Sequence, residues 1–380
     1  MATFNPRKFS EPDRLKTISP ERLVRFLAPF TDYLTGRGFV LPANPSEGMD
    51  FGTLAGILMR PDEKVPREMV DALFYVHEMA TDEAMDDLLD AAAERGLMLD
   101  HHPETTPADV AIQVWLAAPD LLQERHAEAF AVRQKSFTYF AGRDGGPRSF
   151  PGITRDQREV LENDLDDWFD EHKRGRGSRV FVFDHGRKVW ILVRHGMPFR
   201  REGSIKEGES SVEYYRPEKH DVLIYDTETD DIGVHADTKG ERELYLSRIG
   251  LHVFGNAAYF PPAEKFTLDP LLVDGADSLL CGDVPGIDDV KLAEFQRAWG
   301  GGFKELETRR ATDIFGALKE RGRGFGAGGR LTKGVFAVSI TGVKKPRLAT
   351  IRPPNIAVFS RDEDSEVLDR WLSLRGFTRD

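Results

Sequence analysis

The chain has 380 residues, of which 40% are hydrophobic and 31% charged, and its formal net charge is −12. Its 25 Phe, 8 Tyr and 5 Trp supply enough apolar surface for folded cores, which excludes an intrinsically disordered chain. The single cysteine, Cys281, excludes an internal disulfide and a cysteine-rich zinc site. The length exceeds what one core usually serves, so two domains are expected.

The first residues lack the apolar run of a secretory signal. No apolar run approaches the roughly 20 residues that a membrane-spanning helix needs. We therefore expect a soluble, cytoplasmic protein with no membrane partner.

The net charge is divided unevenly along the chain. Residues 1–171 contain 18 Lys+Arg and 32 Asp+Glu, a balance of −14, so the remainder carries +2. Within that remainder, residues 304–352 contain 12 Lys+Arg and 4 Asp+Glu, a local +8. Such a basic region can bind phosphate even on an acidic protein, and the acidic part is suited to docking another protein.

Residues 1–174 are predicted to form an acidic helical domain. Thr106-Pro107 is typical of a helix start, with a capping hydroxyl before proline. Thr154 and Gln157 have capping-box spacing and open a further helix. Glycines at 175 and 177 end it, and the domain boundary is placed there. The apolar stripe of this helix consists of Val160, Leu161, Leu165, Trp168 and Phe169.

Residues 175–380 are predicted to form a strand-rich α+β domain, with a division near 255–287 left open. The fold class is therefore α+β, a helical N-terminal domain followed by a mainly antiparallel sheet with flanking helices on one side. A helix is expected at 240–254. The predicted strands are 180–183, 189–193, 199–205, 212–216, 221–225, 232–235, 290–299, 303–308, 331–341, 347–351 and 356–359.

Six of the ten histidines fall between residues 172 and 252. If the turn after Tyr225 is centred near 228–229, His235 lies opposite Val222, and His220, His235 and Asp237 share one face of a hairpin. Two imidazoles and a carboxylate are enough to hold a divalent metal. The alternative is a set of unrelated surface or cross-strand histidines.

A second candidate site is the glycine-rich loop 322–334, which contains basic residues and lies among others. A helix is predicted before it and a strand after it, the reverse of a Walker loop. Glycines admit an anion close to backbone N–H groups, so a nucleic-acid or other polyanion site is predicted. The alternative is a flexible loop whose cations keep it solvated or meet the acidic half. The predicted polyanion-binding residues are Arg309, Arg310, Lys319, Arg321, Arg323, Arg330, Lys333, Lys344, Lys345 and Arg347.

Two other features favour structural interpretations. Glu162, Asp166 and Asp170 share a helix face, for which a solvated surface or a docking surface for a basic partner is expected. Cys281 lies after two leucines and is predicted to be a packing residue rather than a nucleophile.

No motif indicates a specific chemistry, and whether the chain is an enzyme stays open. The preferred hypothesis is an intracellular interaction protein, a subunit of a larger assembly that needs no cofactor. Its acidic half would bind another protein, and its basic C-terminal face would bind DNA, RNA or another polyanion. The alternatives are a metal-dependent hydrolase or nuclease that uses His220, His235 and Asp237, and a small-molecule binding module between the two halves.

Overall fold

The computed structural model describes residues 6–44, 48–143, 146–262, 264–361 and 365–379. The chain divides into two compact units, one formed by Met1–Ala129 with Ser204–Ser211 and the other by Phe130–Gly203 with Val212–Asp380. The boundary predicted at residue 174 differs from this division. The helix that precedes residue 174 belongs to the second unit, where it packs on strands.

Apart from Ser204–Ser211, which lies in a β-hairpin, the first unit is helical, as its sequence pattern predicts. Helix starts are capped by side chains where the sequence offers them; for example, Thr106 accepts a hydrogen bond from the backbone N–H of Asp109. Leu23, Phe26, Leu54 and Leu73 lie in its buried core. The helices are α1 (Arg7–Ser10), α2 (Pro12–Leu15), α3 (Pro20–Leu27), α4 (Thr31–Gly36), α5 (Phe51–Met59), α6 (Arg67–Met79), α7 (Asp82–Glu94), α8 (Pro107–Ala117) and α9 (Pro119–Val132), with a 3₁₀ turn at Ala28–Phe30.

The second unit contains a ten-stranded antiparallel sheet, which confirms the α+β class. The order of its strands is β2-β3-β6-β7-β1-β12-β11-β10-β8-β9. The remaining strands, β4 and β5, form a separate hairpin. The strands are β1 (Ser136–Ala141), β2 (Arg179–His185), β3 (Lys188–Gly196), β4 (Arg200–Lys206), β5 (Glu209–Tyr215), β6 (Glu218–Asp226), β7 (Asp231–His235), β8 (Ile287–Gly300), β9 (Glu305–Arg310), β10 (Arg330–Ile340), β11 (Arg347–Arg352) and β12 (Ile356–Val358).

Strand β1 is a correction to the expectation that residues 1–174 are all helical. It lies in the middle of the sheet, where it pairs with β7 on one side and β12 on the other. The strands before and after residues 255–287 therefore belong to one continuous sheet.

Helices cover both faces of the sheet rather than one. Phe140 of β1 packs in the core with α10 and α11, whereas its neighbour Tyr139 packs in the core with α12, α13 and α14. Successive side chains of a strand point to opposite faces, so the two helix groups lie on opposite sides. The helices are α10 (Arg155–Glu171), α11 (Lys239–Phe254), α12 (Asp269–Val273), α13 (Ile314–Glu320) and α14 (Ser365–Leu374), with a 3₁₀ turn at Gly275–Leu279.

Helix α10 begins at the predicted capping box, in which Thr154 and Gln157 bond each other's backbone N–H groups. The expectation of a solvated acidic face on this helix is wrong for Asp166. Its buried carboxylate accepts hydrogen bonds from the backbone N–H groups of Gly177 at 2.9 Å and Ser178 at 2.8 Å. Glu162 likewise accepts from the N–H of Val180 at 2.8 Å. These acids fix the chain between α10 and β2.

Candidate functional site

The predicted order of helix, loop and strand is confirmed: the segment 322–329 connects α13 to β10, whereas residues 330–334 of the predicted loop already belong to β10. Helix α13 starts at Asp313, whose carboxylate accepts a hydrogen bond from the backbone N–H of Gly316 at 2.9 Å. A Walker loop runs from strand to helix, so this segment is not one.

Arg297 on β8 holds this loop against the sheet. Its side chain is buried, and its Nη2 donates hydrogen bonds to the carbonyl oxygens of Phe325 at 3.1 Å and Gly326 at 3.2 Å. The guanidinium also lies over the rings of Phe295, Trp299 and Phe325, at 5.2 to 5.6 Å from their centroids. The middle of the loop is thus anchored by a buried cation.

Glycine is required where the loop crosses β8. Gly328 and Gly329 both have positive φ angles, of 89° and 67°. A Cβ atom on Gly328 would lie 3.1 Å from the ring of Trp299, and one on Gly329 would lie 2.8 Å from Cγ of Arg297. The loop backbone therefore lies directly on these two side chains.

Four predicted cations surround this loop: Lys319, Arg321, Arg323 and Arg330. We call them the loop cations. All four are exposed, and none of them forms an ion pair within the described part of the chain. Their positive charge is therefore presented to solvent.

Three other predicted cations lie on the neighbouring strands β9 and β10, where Arg309 and Lys333 are partly buried and Arg310 is exposed. Arg310 and Lys333 both bind the carboxylate of Glu294, at 2.6 and 2.7 Å. The hydrogen bond from Lys333, reinforced by that from Arg310, lowers the pKa of Glu294. Arg309 is half-buried on β9, opposite Phe295. Glu294 thus neutralises part of the charge of the predicted basic surface.

The last three predicted cations lie at the other end of β10. Lys344 and Lys345 are in the turn after this strand, and Arg347 begins β11. The eleven residues of β10 span roughly 33 Å at the usual rise of a strand. The ten predicted residues therefore do not form one cluster, and the loop cations are separate from the group at residues 344–347.

Two residues of the predicted metal site, His235 and Asp237, contact other groups of the protein. His235 is paired with Val222, which confirms the predicted register of the β6–β7 hairpin. Its Nδ1 lies 2.8 Å from the carbonyl oxygen of Ser136. Asp237 contacts Nζ of Lys219 at 3.1 Å.

His220 packs on the ring of Phe130, with ring centroids 5.1 Å apart. Burial, together with the charges of Arg194 and His195, lowers the pKa of His220 to about 4. Within the residues that the structure describes, the metal-ligand atoms that lie within 4.8 Å of one another belong to His195, Asp221 and Glu241 instead. The ligand atoms of His220, His235 and Asp237 thus do not lie within 4.8 Å of one another.

Asp221 on β6 is the centre of this second group, which the sequence did not indicate. Its Oδ2 accepts a hydrogen bond from the hydroxyl of Tyr245 at 2.7 Å and lies 3.0 Å from Nε2 of His195. Lys219 Nζ lies 3.0 Å from the other carboxylate oxygen. Burial and the neighbouring Asp221 raise the pKa of Tyr245 well above its ordinary value, so its hydroxyl stays protonated.

His195 is held on all sides. Its Nδ1 lies 2.9 Å from the carbonyl oxygen of Gly196, while its Nε2 faces Asp221. Its ring stacks on Phe169 of α10, with centroids 4.1 Å apart and planes inclined by 9°. With a single ring proton, the imidazole can donate a hydrogen bond either to the carbonyl oxygen of Gly196 or to Asp221, but not to both.

Glu241 completes the network from α11. Its backbone and side chain form a capping box with Thr238, and its carboxylate binds Arg174 and, at 3.0 Å, Lys219. Burial alone would raise the pKa of Glu241, but the hydrogen bonds from Arg174, Lys219 and the Thr238 N–H outweigh it and lower the pKa to about 2. For Lys219, burial is likewise outweighed by Asp221 and Glu241, which raise its pKa.

These contacts are those of a closed ion network rather than a metal centre. The ammonium group of Lys219 lies 3.0 Å from both Asp221 and Glu241, where a divalent ion would otherwise bind. The side chains of His195, Asp221 and Glu241 are 0 to 1% exposed, so a substrate cannot reach them. The network joins β3 and β6 to α11.

Gly196 permits the close approach on which this network depends. A Cβ atom there would lie 2.5 Å from the carbonyl oxygen of Arg174, a fixed backbone atom. We expect Gly196→Ala to lower the free energy of unfolding by about 1–3 kcal/mol through overpacking. Urea titration measures this loss. Gly203→Ala is the control, because its Cβ would meet nothing within 4 Å, and equal losses in the two variants would contradict the prediction.

Cys281 packs against the core formed by α12, α13 and α14, as predicted. Burial is the main cause that raises the pKa of its thiol. It therefore lacks the thiolate character of a nucleophile.

No protein-family model matches this chain, and none of the curated proteins matches it either. Among the helices that the structure describes, none is both long and apolar enough to cross a bilayer.

Proposed function

We propose that this chain is an intracellular interaction protein that binds nucleic acid or another polyanion through the loop cations. One observation supports the proposal. The loop cations are exposed around a single loop and have no acidic partner within the described residues. Lysine and arginine that neutralise phosphates release condensed counterions, which drives binding. The glycine backbone between them lets a ligand approach closely.

The proposal includes a protein partner for the acidic half, in a larger cytoplasmic assembly. What supports this part is the exposed acidic face of α7, formed by Asp82, Glu83, Asp86, Asp87 and Asp90. Partial burial and then the nearby charges of Glu128 and Glu83 raise the pKa of Asp87. A basic partner surface would relieve that repulsion.

The metal-dependent hydrolase is not carried forward as a second candidate. Within the described residues, His235 and Asp237 are engaged with Ser136 and Lys219, and His220 packs on Phe130. No contact among them favours a shared ion.

The test of the proposed function is a pair of double charge reversals. Arg321→Glu with Arg323→Glu changes the loop cations, whereas Lys344→Glu with Lys345→Glu makes the same change in net charge at the other end of β10. We expect the first variant to weaken oligonucleotide binding at least about tenfold and to reduce the slope of log K against log salt by about 1–2. The control should change affinity by less than about threefold, because salt screens charges beyond roughly 10 Å.

Fluorescence anisotropy with labelled DNA, RNA and polyphosphate at several salt concentrations measures the affinities and their salt dependence. Absence of binding to all of them at low salt would overturn the proposal. Equal weakening in both variants would also overturn it, because affinity would then follow net charge alone.

A further inference from the structure

Two large aromatic side chains are exposed at the end of the sheet where the glycine loop enters β10. Trp299, near the end of β8, is 44% exposed, and Phe303, in the turn that leads to β9, is fully exposed. Burial of Trp and Phe side chains is ordinarily favourable, and exposed aromatic rings combined with cations are the groups on which single-stranded nucleic acids bind. Glycines at 300 and 301 with positive φ shape the turn that presents Phe303.

The aromatic and basic groups belong to one end of the sheet. The loop backbone at Gly328 packs on the Trp299 ring, and Arg330 is paired with Ala298, the residue before Trp299. The guanidinium of Arg297 lies 5.6 Å from the Trp299 ring centroid. The Trp299 ring, the glycine loop and the turn that carries Phe303 therefore lie at the same end of the sheet, where β8 ends and β9 and β10 begin.

Resting on the proposed function, we infer that the ligand is a single-stranded nucleic acid whose bases stack on Trp299 and Phe303 while the loop cations contact its phosphates. Stacking contributes about 1–3 kcal/mol per base and requires an exposed base face. A duplex hides its base faces, and polyphosphate and acidic peptides have no nucleobases. The aromatic pair therefore selects the single strand among polyanions.

The test compares Trp299→Ala, Phe303→Ala and the double variant by anisotropy with labelled oligo(dT), a duplex and polyphosphate. We expect each single change to weaken oligo(dT) binding by about 5- to 150-fold, which is the stacking free energy expressed as an affinity ratio. Binding of duplex and polyphosphate should stay within about twofold of the original. Trp299→Phe is the matched control and should retain most of the affinity, because phenylalanine also stacks.

The ligand offers a second measurement that does not depend on how the variants fold. The unaltered protein should bind a strand of abasic nucleotides at least about fivefold more weakly than oligo(dT), because such a strand has no bases to stack. Equal affinity for abasic strand and oligo(dT) would overturn the inference, as would a Trp299→Ala variant that loses polyphosphate and oligo(dT) binding alike.

The measurements distinguish a failure of the proposed function from a failure of the stacking inference. If the proposed function is wrong, the unaltered protein binds none of the three polyanions at low salt. If only the stacking inference is wrong, Arg321→Glu with Arg323→Glu still weakens binding at least about tenfold, while the aromatic variants bind oligo(dT) as the unaltered protein does.

Discussion

Replacing Asp221 with alanine is expected to lower the free energy of unfolding by about 3 kcal/mol, since breaking a buried ion pair typically costs 3–5 kcal/mol. Asp221 is fully buried and contacts His195, Lys219 and Tyr245. Its removal leaves the Tyr245 hydroxyl without its acceptor and Lys219 with one acidic neighbour fewer. We choose the lower end of the range because Lys219 keeps its contact with Glu241.

Asp237 provides a matched control for this prediction. It contacts the same Lys219 ammonium at 3.1 Å, but its side chain is 70% exposed. Water and salt screen such a pair, so Asp237→Ala should cost less than about 1 kcal/mol. Urea unfolding followed by circular dichroism compares the two variants. A loss for Asp221→Ala no larger than that for Asp237→Ala would show that burial does not strengthen this network.

Local features of the fold could be predicted from the sequence. The capping box at Thr154 depends on residues three apart, and the pairing of His235 with Val222 depends on a short turn. Both are set within a few residues, where spacing and side-chain chemistry leave few alternatives. The helix, glycine loop and strand around residues 322–329 were predictable for the same reason.

Strand β1 could not be predicted in the same way. Thr138 pairs with Val234 on one side and Ile356 on the other, both far along the chain. The alternation of Phe137, Thr138 and Tyr139 is compatible with a strand, but six residues between a helix and a glycine-rich segment gave too weak a signal. The placement of helices on both faces of the sheet follows from this strand and was missed with it.

The buried network was missed because charged residues are mostly exposed. Asp221 lies directly before the apolar run that starts at Val222. A carboxylate within a buried strand is the one sequence feature that indicates the network. Its partners come from other elements: His195 from β3 and Tyr245 from α11. Only the folded chain brings them together.

The basic region was predicted in composition but not in arrangement. The excess of Lys and Arg in residues 304–352 is a sequence fact, yet strand pairing places Glu294 between Arg310 and Lys333. The length of β10 separates the loop cations from residues 344–347. The exposed aromatic pair was missed because no spacing in the sequence shows that Trp299 and Phe303 remain at the surface.

Acid should weaken this protein through Glu241 in a defined pH range. The folded-state pKa of Glu241 is lowered from its ordinary 4.5 to about 2, so the folded state holds the carboxylate in its charged form. Its contribution is fully present above pH 4.5 and is lost as the pH falls towards 2, because the unfolded chain takes up the proton first. A difference of this size corresponds to about 3 kcal/mol.

Glu241→Gln tests this linkage, because glutamine keeps the shape of the side chain and removes its titration. The variant should be less stable than the unaltered protein by about 3 kcal/mol near neutral pH, and the difference should shrink towards zero as the pH approaches 2. Glu243→Gln on the same helix is the control, since its exposed pair with Lys239 is worth at most about 0.5 kcal/mol. A difference between Glu241→Gln and the unaltered protein that stays constant from pH 6 to about pH 2 would mean that Glu241 is not held charged by Arg174 and Lys219.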